Sequence, residues 1–269
     1  MLFGGISGSA VADVSALGSL LIPVMKEKGY DDDYAVNITV TSSIAGIMIP
    51  PSHNMILYVV AAGGGMSVAS LFMAGVVPGI LMCILLGVVA RWIAIRKNFP
   101  TEEFAGFKVI FFAFLASFPG LVTAIIVVGG ALSGIFTVTE SGAIGAIYAI
   151  IITGFVYRSL SLKDFWVAVV RSVRTTGLVM ILVGCASAFG YMLALYEVPK
   201  VLAMTLTSIS DNPIIILLMM NLILLLLGMI MDMAALILIC TPIFLPVAIG
   251  LGMDPIHFGV MLMMNLGLG

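Results

Sequence analysis

The sequence predicts an all-α protein that crosses a lipid bilayer several times and carries discontinuous helices. Three observations lead there. Of 269 residues, 62% are hydrophobic and 9% charged, with mean hydropathy +1.28; soluble domains average about 25% charged residues and need them to cover their surface. Apolar runs occupy 34–62, 68–90, 109–134, 139–157, 177–196, 213–246 and 255 to the end, and a spanning helix needs roughly 20 residues. Two of these runs are interrupted, by IPPSHN at 49–54 and by GMIMDM at 228–233. Breaks at membrane depth survive only where protein or a cavity satisfies the freed backbone groups.

Basic residues orient the spans. Lys26 and Lys28 form one cluster, Arg91, Arg96, Lys97 and Lys108 a second, and Arg158, Lys163, Arg171 and Arg174 a third. Two apolar crossings separate each cluster from the next, so all three share the cytoplasmic side under the positive-inside rule, with Lys200 the exception. The segments 97–108 and 159–176 read as amphipathic helices along that surface. Cys83, Cys185 and Cys240 lie in apolar runs without C-x-x-C spacing and read as lipid- or core-facing small hydrophobes. Residues 1–25 lack a basic n-region and a cleavage site. The opening on a Gly/Ser-rich segment and the ending MNLGLG inside an apolar run read as truncations of a longer chain.

An internal repeat organises the rest. LLIPVMKEKGYDDDYAV (20–36) aligns with IFLPVAIGLGMDPIHFG (243–259), matching Pro23 with Pro246, Gly29 with Gly252 and Asp31 with Asp254. Upstream of the prolines lie SGSAVAD in one copy and GMIMD in the other. If 213–228 and 233–246 form a re-entrant hairpin, 197–212 and 247–254 are outside, whereas loop 26–33 is inside. The copies then point in opposite directions, the inverted repeat of many secondary transporters.

Four stretches resemble one family: FGGISGSAVADVSALGSLLIPVM, SSIAGIMIPPS (42–52), GIFTVTESGAIGAIYA (134–149) and GMIMDMAALILICTPIFLPVA. They are similar to the large membrane subunit of TRAP (tripartite ATP-independent periplasmic) transporters, the DctM-like family. The resemblance implies an elevator-type fold like that of the ion transporter superfamily, with inverted repeats and re-entrant hairpins. It also implies sodium as coupling ion and import of an organic acid such as a C4-dicarboxylate or sialic acid. Implied partners are a small DctQ-like membrane subunit, separate or fused, and a periplasmic substrate-binding protein, all at the bacterial inner (cytoplasmic) membrane. No enzymatic activity or prosthetic group follows. Residues 1–66 then belong to a first-repeat transport part, 67–134 to scaffold helices with a cytoplasmic surface segment, 135–211 to second-repeat scaffold helices with a cytoplasmic arm, and 212–269 to a second transport part.

Carried over by resemblance, a first sodium site uses Ser7 and Ser9 with backbone oxygens of Gly46, Ile49 and Pro51. The chemistry agrees: sodium prefers oxygen ligands, and Pro50 and Pro51 lack N–H groups, which frees carbonyls one turn earlier. The plainer alternative has the serines bonding back to carbonyls and the glycines permitting close packing. Three carboxylates, Asp13, Glu140 and Asp232, lie in apolar segments with no basic partner there, at about 2.5–3.5 kcal/mol each even on the lenient insertion scale. Asp13, Gly228 and Asp232 are assigned to a second ion or substrate region. Ser52 and Asn54 are candidate substrate or structural residues, and so is Glu140, whose alternative is first-turn stabilisation by the helix dipole. The family usually has T-P-T-E where this chain has TVTE, so Val138 leaves that turn's rigidity open. His53 reads as packing at the hairpin mouth, and His257 has no ligand-spaced partner for zinc. The run Asp31–Asp33 reads as a solvated loop with Asp31 capping the next helix.

Two rival functions stay open at this level. One is a stand-alone ion-coupled carboxylate or drug symporter. The other is an intramembrane aspartyl protease sharing a proton between Asp13 and Asp232, although neither GSAVAD nor GMIMD has the expected G-x-G-D form.

Overall fold

A computed structural model describes residues 8–101, 104, 106–210 and 212–269, except the side chains of 203 and 207. Among the described residues all regular structure is helical. The helices are α1 (Ala10–Glu27), α2 (Asp32–Ser43), α3 (Ala45–Met48), α4 (His53–Ala61), α5 (Val68–Arg96), α6 (Phe107–Leu132), α7 (Val138–Ile151), α8 (Leu162–Leu195), α9 (Val198–Ile209), α10 (Pro213–Gly228), α11 (Met233–Gly250) and α12 (Pro255–Leu268). A π-helical turn, Ile152–Val156, extends α7. Five of the described helices, α5, α6, α7 with its π turn, α8 and α11, are long and apolar enough to span, and the bent run α2–α4 can make a sixth. The all-α polytopic expectation is met.

The chain divides into two compact units. One comprises the chain up to Ser52 together with Gly75–Asp164. Here α1 packs on α2, and both touch α3. The hydroxyls of Thr39, Thr41, Ser42 and Ser43 all donate to carbonyls within α2, so a helix rich in Ser and Thr brings no unsatisfied hydroxyl into lipid. Helices α6 and α7 form an antiparallel hairpin. Gly130 lies so close to Ser141 that an added Cβ would sit 2.7 Å from its hydroxyl, and Tyr148 and Tyr157 donate to Pro119 and Ala116 carbonyls at 3.2 Å.

The other unit comprises His53–Ala74 and Phe165–Gly269. Its core forms where α4, α10, α11 and α12 meet, around fully buried Tyr58, Phe258, Met220, Leu224, Ile237 and Leu262. Tyr58 donates to the Pro255 carbonyl at 2.6 Å. Gly259 makes room for its ring, since a Cβ there would lie 2.5 Å from it. Asn265 of α12 donates to Asn221 of α10, the kind of interhelical amide contact that joins helices where water is absent.

Two expectations about surface segments change. Between Arg96 and Phe107 the described residues are not helical, and Gly106 adopts φ +88°. Residues 162–176 do not form a separate helix but open the 34-residue α8. At 1.5 Å per residue α8 runs about 51 Å, longer than a hydrocarbon core of about 30 Å. Its basic first third therefore extends from the span rather than folding away from it.

The repeat is present in backbone detail. Helices α1 and α11 are both 18 residues long, and placing Ala10 on Met233 places Glu27 on Gly250, an offset of 223 throughout. Gly29 and Gly252 have φ +84° and +85°. The N–H groups of residues 28, 29 and 30 bond to carbonyls 24, 26 and 25, and those of 251, 252 and 253 to carbonyls 247, 249 and 248. The same register sets Asp232 opposite Ser9, both N-caps, and Asp13 opposite Leu236. The two aspartates are thus not equivalent positions.

Candidate functional site

In the first unit the break lies between α3 and Ser52. Ile49 leaves the helical region at φ −89°, ψ 125°, and the Pro50–Pro51 bond is cis. With N–H groups missing at 50 and 51, the carbonyls of Gly46 and Ile47 lose their helical donors. Gly46, Ile47 and Met48 are buried. Helix α5 approaches this point through Gly79, where a Cβ would meet Met48 and Ile49 at 3.1 Å. Ser52, at 0% exposure, has a hydroxyl with no hydrogen-bond partner among the described residues. Such a group is costly to bury and calls for an explanation.

Helix α1, which packs on α3, begins at Ser9, whose hydroxyl accepts from Ala12 N at 3.5 Å. The structure therefore brings the Ser9-capped helix against the segment carrying Gly46 and Ile49. Ser7 lies outside the described residues. Asp13 sits in the first turns of α1 at 2% exposure, its N–H bonded to the Ser9 carbonyl.

The second unit holds the other break, Met229–Asp232, between α10 and α11. Asp232 is exposed, and its carboxylate accepts from Ala234 and Ala235 N at 3.0 and 3.4 Å. Gly228 faces the backbone of Leu266 and Gly269, where a Cβ would lie 3.2 and 3.3 Å from their Cα atoms. Asn54, at 4% exposure, donates to the Met233 sulfur at 3.2 Å, while its own carbonyl oxygen has no partner among the described residues. Thr241, at 0% exposure and next to Pro242, also has a hydroxyl without a partner among the described residues. Sequence reasoning passed over Thr241, and the Thr-Pro pair inside an apolar run was the available signal.

Two further carboxylates make local contacts. Glu140 completes a capping box: its carboxylate accepts from Thr137 N and Oγ1 at 2.8 Å, and Glu140 N donates back to Thr137 Oγ1 at 3.2 Å. The box closes with Val138 at the first helical position, so the turn does not need proline. Asp31 does not cap α2; its carboxylate pairs with Lys97. His53 and His257 are exposed.

Long apolar helices, with interruptions at 49–52 and 229–232, define a polytopic membrane protein. The model of the family described as "Tripartite ATP-independent periplasmic transporter, DctM component" matches residues 1–269, and the chain belongs to that family. It is 41% identical to the uncharacterized protein YgiK of Salmonella typhimurium, over all of this chain and 61% of that protein. It is 39% identical to the sialic acid TRAP transporter large permease protein SiaM of Vibrio cholerae, over all of this chain and 62% of that protein. A third relative, the isethionate TRAP transporter permease protein DctMQ of Oleidesulfovibrio alaskensis, is 38% identical over all of this chain and 42% of its own length. The chain thus spans about three fifths or less of these relatives. The family is one of permease components rather than enzymes, which removes the protease reading.

Proposed function

We propose that the chain is part of the large membrane subunit of a sodium-coupled TRAP transporter that imports an organic anion across the bacterial cytoplasmic membrane. An extracytoplasmic binding protein delivers the substrate, and a small membrane subunit, separate or fused as the DctMQ name suggests for one relative, completes the assembly. Sodium is cargo here. It enters at the first break, where Ser52 and the proline-freed carbonyl of Gly46 offer oxygens of the kind a hard cation takes. Ser9 and the carbonyls of Ile49 and Pro51 complete the set, with Ser7 from the preceding segment. The second break, around Gly228 and Asn54, supplies the matching region in the other repeat, with the buried Thr241 further along α11. Ion binding fixes the breaks, and helix N-termini there aim positive dipole ends at the anion. The parts carrying the breaks move against the remaining spans.

The observation that carries this reading is the buried Ser52 hydroxyl beside two prolines, without a hydrogen-bond partner among the described residues. The test is thermal unfolding of the complete subunit in detergent, with sodium titrated against choline at constant ionic strength. Sodium at 100 times its dissociation constant should add about 2.7 kcal/mol, and Ser52→Ala should remove most of that increment. Ser9→Ala lowers the baseline by about 1 kcal/mol through its lost cap, so the increment, not the baseline, is the readout. Equal curves in sodium and choline would refute the ion assignment.

A relative named for sialic acid and another named for isethionate support an anion without fixing carboxylate over sulfonate. Uptake of both classes by the reconstituted assembly, with and without the binding protein, separates this reading from a stand-alone symporter.

A further inference from the structure

In the first unit, the loop between α1 and α2 is fastened to the end of α5 by contacts that the transport reading leaves unused. Asp31 forms an ion pair with Lys97. Tyr30 Oη donates to the Pro100 carbonyl at 3.3 Å, and Tyr34 Oη donates to the Ala90 carbonyl at 3.1 Å. The rings of Tyr30 and Tyr34 both pack on Phe99, with centroids 5.0 and 4.8 Å apart, and the Lys97 ammonium lies 5.9 Å from the Phe99 ring centre. Three kinds of interaction thus meet in residues 97–100, a segment that is not helical. Basic residues on both sides, Lys26 and Lys28 with Arg96 and Lys97, place this fastening on the cytoplasmic side.

We propose that these contacts form a cytoplasmic latch, which holds the α1–α2 pair against the end of α5 in one resting state and must open for the transport step. The inference rests on the proposed function, because only relative motion of the two parts requires opening. Its form suits that task. The ion pair is half exposed, with 49% and 52% of the two side chains open to solvent, so it contributes little on its own and does not forbid leaving the state; the ring contacts and tyrosine hydroxyls supply the rest of the hold. The aromatic contacts and the two tyrosine hydroxyls set where the pair re-forms. Asp31, Lys97, Tyr30, Tyr34 and Phe99 are positioning residues; none is assigned to an ion or a substrate.

The test uses the complete subunit with its partners in proteoliposomes, its native cysteines replaced. Asp31→Cys and Lys97→Cys are combined and bridged by a reducible bis-methanethiosulfonate reagent long enough to replace the lysine side chain. A second pair, Tyr34→Cys with Phe99→Cys, serves if the first does not fold. Expected are a cross-link in the resting protein, loss of uptake to background, and recovery on reduction, with the single-cysteine variants unaffected by the reagent. Full uptake by the cross-linked protein, or no cross-link in either pair, overturns the latch. If the wild type shows no sodium-dependent uptake, the function reading fails separately. Cross-linking yield then decides the latch: a yield that changes between sodium, choline and shifts in pH supports opening, and an invariant yield overturns it.

Discussion

The two copies of the repeat turn between helices with the same backbone and different side-chain contacts. Residues 28–31 and 251–254 share their hydrogen-bond ladder and their glycine at φ near +85°. In the second copy Asp254 caps α12, accepting from Ile256 and His257 N at 2.8 and 3.3 Å. The Pro255 carbonyl accepts from Tyr58, and Gly252 has no neighbour within 4 Å of where a Cβ would stand. In the first copy the equivalent Asp31 sits at the N-cap without a side-chain cap bond and reaches Lys97 instead, while Gly29 faces Pro100. One turn is completed by its own helix and by α4; the other is completed by residues 97–100, which follow α5. Backbone geometry is therefore what the repeat conserves, and the side chains on it are free to divide the labour of ending a helix and holding a distant segment.

The largest effects should come from the shared backbone. Gly29→Val and Gly252→Val each force a β-branched residue into the left-handed region, at about 1–2 kcal/mol or more. Both should lower thermal stability in detergent by similar amounts, because the space around each Cβ is open or ordinary contact. A marked inequality would break the equivalence of the two turns.

Much of this architecture was legible in the sequence. Pro23, Gly29 and Asp31 against Pro246, Gly252 and Asp254 fixed the register that the backbone follows, since proline and positive-φ glycine restrict conformation wherever they occur. The breaks at 49–52 and 229–232 were legible for the same reason. Side-chain partners were not. Asp31 looked like a cap because Asp before a helix usually is one, and only the fold shows Lys97, 66 residues on, within reach. Thr241 escaped because a threonine inside an apolar helix ordinarily bonds back to its own turn; its orphaned state is a property of packing. Glu140 was ambiguous in sequence because a first-turn carboxylate serves a cap and a ligand set equally well.

Next in size is the cap. Asp254→Ala should cost about 1 kcal/mol, the usual loss of an N-cap, whereas Asp31→Ala removes no cap and should cost less. Chemical unfolding of the two variants side by side checks this, and equal losses would mean that Asp31 caps α2 in solution. Tyr34→Phe, which keeps the ring on Phe99 and removes only the bond to Ala90, should cost about 0.5–1.5 kcal/mol. Amide exchange in residues 90–100 should quicken in that variant while exchange in α12 stays unchanged.

Smallest of all should be the ion pair. With both side chains about half exposed, its coupling should be no more than about 1 kcal/mol and should fade with salt. A double-mutant cycle of Asp31→Asn and Lys97→Gln, run at low and high ionic strength, measures that coupling free of the aromatic contacts. The charge swap Asp31→Lys with Lys97→Asp should recover part of it, since the two groups meet at the protein surface without a fixed fork geometry. A coupling that persists at high salt would mean the pair is shielded from solvent in the assembled transporter. The difference between the two turns would then be one of burial by a partner as well as of side-chain choice.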